Sequence, residues 1–101
     1  MIVKREAAAV KGFYMDTVYR IYTEDADRET VVKAISQRFE SFTLHATTGY
    51  FKGQAEKSIV IEIVEAREEV INEVARAIRA INGQKTVLVM GLRGEARRIT
   101  E

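Results

Sequence analysis

The 101-residue chain has no cysteine, no proline and a single histidine. Without cysteine, disulfides, thiolate nucleophiles and every cysteine-based metal site are excluded. With His45 alone, a multi-histidine zinc centre within one chain is excluded as well. No proline- or serine-rich linker, repeat or low-complexity tract divides the sequence. An excess of one charge is also missing. Sixteen basic and 15 acidic side chains leave a net charge of +1, so no global field recruits nucleic acid or an anionic membrane. No stretch approaches the roughly 20 apolar residues of a membrane span. The opening "MIVKREAAAVKG" holds too short an apolar run for a signal-peptide core. These absences predict a cytoplasmic protein with no cofactor, no membrane association and no nucleic-acid partner.

Apolar residues at 47% and charged residues at 31% describe a globular chain rather than a disordered one. Its length suits one domain that buries about two-thirds of its unfolded surface. The expected layout is a single domain over 1–101. It comprises an arm or short helix over 1–14, a core over 15–92 and a charged tail over 93–101.

"MDTVYRIYT", residues 15–23, is rich in the β-branched and aromatic types that suit a strand. Next comes "EDADRET", where Asp25 or Asp27 can cap a helix and the acidic cluster complements its dipole. Val31, Val32, Ile35 and Phe39 recur at helical spacing, which predicts a helix over 28–40. "FTLHATTGY" and "SIVIEIV" both alternate, as half-buried strands do. "EAREEVINEVARAIRAING" carries one apolar stripe of Val70, Ile71, Val74, Ile78 and Ile81, and Gly83 follows as a left-handed stop. "KTVLVMGL" reads as a last, almost wholly apolar strand.

Strand, helix, strand, strand, helix, strand implies two interleaved right-handed βαβ units. The result is an α+β, ferredoxin-like fold: a four-stranded antiparallel sheet with both helices on one face. Leu44 and Ala46 share the helix-covered face with Ile59, Ile61 and Ile63 only if opposed residue numbers sum to an odd value. Centring the turn near Gly53 makes that sum about 107 and sets His45 opposite Glu62. The other face is expected to present apolar side chains from the first, third and last strands, which points to a homo-oligomer that buries it.

Five groups of residues are candidates for a site. In "TGYFKGQAE", Gly49 and Gly53 permit close backbone approach, Tyr50 and Phe51 could stack on a flat ligand, and Lys52 and Lys57 could reach phosphate. The plainer reading is a wide hairpin whose aromatics pack on a neighbouring subunit. In "NGQKT", Gly83, Lys85 and Thr86 resemble part of a phosphate-cradling loop, although the segment first of all stops a helix. In "RGEARR", Arg93, Arg97 and Arg98 suit phosphate recognition, or form a solvated tail. His45 and Glu62 are the only pair suited to acid–base work, and otherwise a polar pair at an interface. The acidic run Glu24, Asp25, Asp27 and Glu29 is a cation candidate more simply read as a helix start.

The chain resembles the trimeric PII/CutA-like group, the nitrogen-regulatory and divalent-cation-tolerance proteins. The resemblance lies in the element order over 16–92 and in "GYFKGQAEKSIVIEIV", an aromatic pair, glycine, acids and an alternating strand. The cysteine often found in that family's second strand is missing here, as are its proline-bearing segment and the long loop of the signal proteins; about eight residues separate the hairpin strands. The resemblance implies a trimer that binds a nucleotide or small anion between subunits. Carried onto this sequence, the ligand-binding positions are Gly49, Tyr50 and Lys52, then Gly83, Lys85 and Thr86, then Arg93, Arg97 and Arg98.

The expected function is a non-enzymatic ligand-sensing or regulatory protein whose ligand alters a surface read by a protein partner. One alternative is a small enzyme of the dimeric α+β-barrel kind using His45 and Glu62. Another is a structural assembly module without a ligand.

Overall fold

A computed structural model describes residues 13–65 and 67–97. It contains β1 (Phe13–Glu24), α1 (Arg28–Ser36), β2 (Thr43–Phe51), β3 (Gln54–Glu65), α2 (Glu68–Asn82) and β4 (Leu88–Arg97). The strands form one antiparallel sheet in the order β2-β3-β1-β4. This is the ferredoxin-like arrangement expected from the element order.

The core lies between the sheet and the helices. Tyr19 and Ile21 of β1 and Ile59, Ile61 and Ile63 of β3 face Val31 and Ile35 of α1 and Val70, Ile71, Val74 and Ile78 of α2. Seven isoleucines and Val31 are almost wholly removed from water, each worth about 1.5–3 kcal/mol of transfer free energy. β-Branched residues serve both layers here: they suit the pleated sheet and give the helices stiff side chains to pack on it.

Both helices end by local chemistry legible in the sequence. Asp27 caps α1 by accepting from the Thr30 N–H at 3.3 Å. Gly83 closes α2 at φ 65°, with its N–H donating to Ala80 O and that of Gln84 to Arg79 O. At the other end of α2, the buried Glu65 carboxylate accepts from the Arg67 backbone N–H at 3.0 Å and from its guanidinium.

Four sequence expectations change. First, α1 ends at Ser36 rather than near 40. Phe39 still reaches the core because a turn, with the Arg38 and Phe39 N–H groups on Ile35 O, folds it back. Second, the hairpin is tight, not wide. Gly49 to Phe51 belong to β2 and Gln54 to Lys57 to β3, and the turn is Lys52–Gly53 alone, at φ 51° and 80°. Two positive φ angles fit the inward twist of a two-residue hairpin turn. Third, this turn shifts the register by two residues. His45 stands opposite Val60, and Glu62 opposite Thr43. A two-residue shift preserves parity, so Leu44 and Ala46 still share a face with the isoleucines. Fourth, much of the charged tail is strand, because β4 runs to Arg97 and pairs with β1 as far as Phe13. The expected arm therefore overlaps β1 at residues 13 and 14; residues 1–12 and 98–101 lie outside the described residues.

The sheet has an offset outline. β3 pairs with β1 only over Ser58–Glu65, so Gln54–Lys57 is paired with β2 alone. At the opposite end, Phe13–Asp16 is paired with β4 alone. Two ribbons thus project from diagonal corners.

Ile61→Ala, at the centre of the core, is expected to cost about 2–5 kcal/mol in chemical denaturation. Lys52→Asn is expected to add roughly 0.5–1 kcal/mol, because asparagine tolerates the left-handed conformation that lysine holds at a cost. An unchanged midpoint for Lys52→Asn would count against the turn described.

Candidate functional site

The sheet face away from the helices is built in rows across the strands. One row is His45, Val60, Tyr22 and Leu88; the next is Thr43, Glu62, Arg20 and Met90. Val64, Val18 and Leu92 form a third. Leu88 is 58% exposed, Leu92 44% and Met90 39%. Together with the half-buried valines and Tyr22 they give a broad apolar surface with one ionic row through it.

In that row Arg20 Nε donates to Glu62 Oε2 at 2.7 Å, and His45 Nε2 lies 3.7 Å from Glu62 Oε1. The second distance is too long for a hydrogen bond and is an ion pair only with a protonated imidazole. The contact is diagonal, as the register requires. Arg20 is the stronger claimant, and its hydrogen bond holds the Glu62 carboxyl below the ordinary carboxylate value, with His45 adding to the effect. Sequence reasoning paired Glu62 with His45 and missed Arg20. The signal was present in "VYRIY", where Arg20 alternates with the buried Tyr19 and Ile21.

The other candidate residues occupy separate corners. Gly49, Tyr50 and Lys52 lie on the projecting β2–β3 ribbon, where Tyr50 and Phe51 are 75% and 61% exposed. Lys52 Nζ sits 5.3 Å from the Phe51 ring centroid, a cation–π contact within the turn. Gly83, Lys85 and Thr86 form the α2–β4 loop, at the end of the sheet where β1 finishes. Both groups are thus at one end, but on opposite edge strands, separated by about 14 Å across three strand spacings and further along the strands, because the ribbon runs on past the level of Glu24. Arg93 pairs with Thr17 towards the other end, five residues along β4 from Leu88 and so about 16 Å away. Arg97 ends β4, and Arg98 lies outside the described residues. One copy of the chain does not bring these groups together.

The acidic run has local partners. Asp27 caps α1, while Asp25 accepts from Arg28 at 2.5 and 3.2 Å, which lowers its pKa. Beside it, an open groove of about 440 Å³ runs between the start of α1 and the ribbon, lined by Arg28, Thr48 and Lys57 among others. Among the described residues, no cluster of three or more metal-ligating side chains is present, and no helix is long and apolar enough to cross a membrane.

Comparison with solved structures gives consistent matches. CPII from Thiomonas intermedia K12, a nitrogen regulatory PII-like protein bound to ADP, AMP and bicarbonate, superposes with a TM-score of 0.64 at 14% identity, over 87% of this chain and 99% of that one. The fold is that of PII-like proteins. The apo form of CPII matches equally well, at 15% identity over 86% of this chain and 97% of that one. A PII-like protein from Thermus thermophilus matches with a TM-score of 0.60 at 14% identity, over 85% and 92% of the two chains. No family model matches the sequence, and no curated protein matches it. The PII-like likeness is therefore carried by topology, not by a shared motif.

The ionic row on this PII-like sheet carries a pH signature. A carboxylate whose folded pKa is depressed stabilises the fold above its unfolded value of about 4.3 and loses that contribution as pH falls through the depressed value. The pair is partly exposed, so the effect is modest. Urea midpoints of the wild type are expected to fall between about pH 5 and 3, and Glu62→Gln is expected to flatten that fall. Parallel curves for the two proteins would show that Glu62 is not held by Arg20 in solution.

Proposed function

We propose that this chain is a non-enzymatic, PII-like ligand-sensing protein. Copies assemble through the open sheet face, and a nucleotide or small anion binds at their junctions. The observation that carries this reading is the match along nearly the full length of CPII, whose structures hold ADP and AMP with bicarbonate.

Three features of the chain support it. The exposed leucines and Met90 on the open face form the kind of apolar patch that an interface covers. One edge of the described sheet agrees: β2, "TLHATTGYF", has no lysine, acid or proline to guard its outer backbone groups. The candidate ligand residues support the same arrangement. Gly49, Tyr50 and Lys52 lie far from Gly83, Lys85 and Thr86, and both groups lie far from Arg93. In a closed trimer with heterologous contacts, one copy's β2 edge can sit beside another's β4 edge, so that a hairpin and a loop from different copies share one anion. Arg97 and Arg98 belong to the same set in this reading.

Ligand binding then acts as a population shift. Contacts to Lys52 and Lys85 order the hairpin ribbon against the neighbouring copy and alter the surface that a cytoplasmic protein partner reads.

Light scattering combined with thermal unfolding tests the reading. A trimer is expected, and ADP at about 100 times its dissociation constant should stabilise it by roughly 2.7 kcal/mol. Lys85→Ala should remove most of that shift while leaving the trimer intact. A trimer indifferent to ADP, AMP and bicarbonate would instead be an assembly module, and a monomer would overturn the reading altogether.

A further inference from the structure

The α2–β4 loop is held by an unusual route. Backbone hydrogen bonds carry the chain through Gly83 and Gln84, whose N–H groups close α2 on Ala80 and Arg79. The β4 ladder resumes only at Leu88. Between them, among the described residues, Lys85 and Thr86 donate no backbone N–H to another backbone carbonyl.

What spans the gap is the Gln84 side chain. Its Oε1 accepts from Thr23 Oγ1 and from the Glu24 N–H at 3.2 Å, both at the end of β1. Its Nε2 reaches forward to Thr86 O at 3.4 Å. One carboxamide therefore ties the loop to the central strand and braces the loop against itself.

The anchor is firm because Thr23 is buried and engaged twice. Besides donating to Gln84, its hydroxyl accepts from Asn82 Nδ2 at 2.9 Å, and Asn82 also donates to Glu24 O at 2.9 Å. Arg79 Nη1 donates to Gln84 O at 3.3 Å, so the backbone of the clamp is held as well. The two bonds that meet at the Thr23 hydroxyl are part-buried and the others exposed, so removing that hydroxyl takes a shared partner from both Gln84 and Asn82.

We propose that Gln84 is the positioning residue of this loop. Its carboxamide clamps the loop to β1 and holds Lys85 and Thr86 in a fixed place for an anionic ligand. The ligand half of the inference rests on the function proposed above; the clamp does not. A pre-ordered loop loses little freedom when the anion arrives, which is how a residue that never touches the ligand raises affinity.

The test is ¹⁵N relaxation of the full chain in its solution assembly, followed by ADP titration. In the wild type, the amides of Lys85 and Thr86 are expected to show order parameters near the value of about 0.85 found in rigid backbone. In Gln84→Ala they should fall below about 0.6. Thr23→Val, 61 positions upstream of Gln84, should loosen the same two residues without altering the loop's own sequence. Gln84→Glu keeps the acceptor for β1 but cannot donate to Thr86, so it should free Thr86 more than Lys85.

ADP affinity should weaken about tenfold in both Gln84→Ala and Thr23→Val. A loop equally ordered in all variants overturns the clamp. A loosened loop with unchanged ADP affinity overturns its positioning role. If the loop loosens but the wild type ignores ADP, the clamp is upheld and the nucleotide reading fails separately.

Discussion

The alternation of β3 is the constraint on which the rest of the molecule depends. Ile59, Ile61 and Ile63 point into the core, while Val60, Glu62 and Val64 point to the open face. β3 lies between β2 and β1, so its parity sets that of both neighbours. A one-residue slip would place three isoleucines in water and bring Glu62 under the helices, at a cost of several kcal/mol for the apolar side chains alone. Every surface discussed above, from the ionic row to the apolar patch, inherits its place from that choice.

The elements with strong periodicity were legible from sequence: the stripe of α2, its Gly83 stop, the two alternating hairpin strands and the order that gives a ferredoxin-like sheet. The turn was less so. Lys52 adopts a conformation that lysine rarely holds, and "FKGQ" lacks the Asn-Gly or Asp-Gly pair that announces a two-residue turn. Without that pair a wider turn is expected, and the observed register differs by two. The charged stretch "RGEAR" conceals its strand for a related reason. A paired strand at a sheet edge can carry arginine and glutamate as readily as a loop does, and its partner is far away in sequence.

The candidate site was legible only as separate pieces. Glycines, aromatics and cations could be picked out as ligand-competent, but their spacing in the sequence does not encode which corner of the sheet each would occupy. Gln84 had no local signature at all. Its partners Thr23 and Glu24 lie on the first strand, and no periodicity or motif connects them. Arg20 belongs to the same class. Long-range polar contacts are settled by the folded topology, and the sequence gives notice of them only once the sheet order is known.

The position of β1 has a consequence for the order of assembly. Among the described strands only the β2–β3 hairpin is a local pairing, joined by two residues, and such hairpins close within about 1–10 μs. β1, the earliest of the described strands, lies between β3 and β4, and its residue Phe13 pairs with Arg97. A ribosome must therefore release the chain as far as Arg97 before the central strand has both neighbours along its length. Until then β1 presents a bare edge rich in valine, isoleucine and tyrosine, at the stage of synthesis when chaperones and sister chains are nearest.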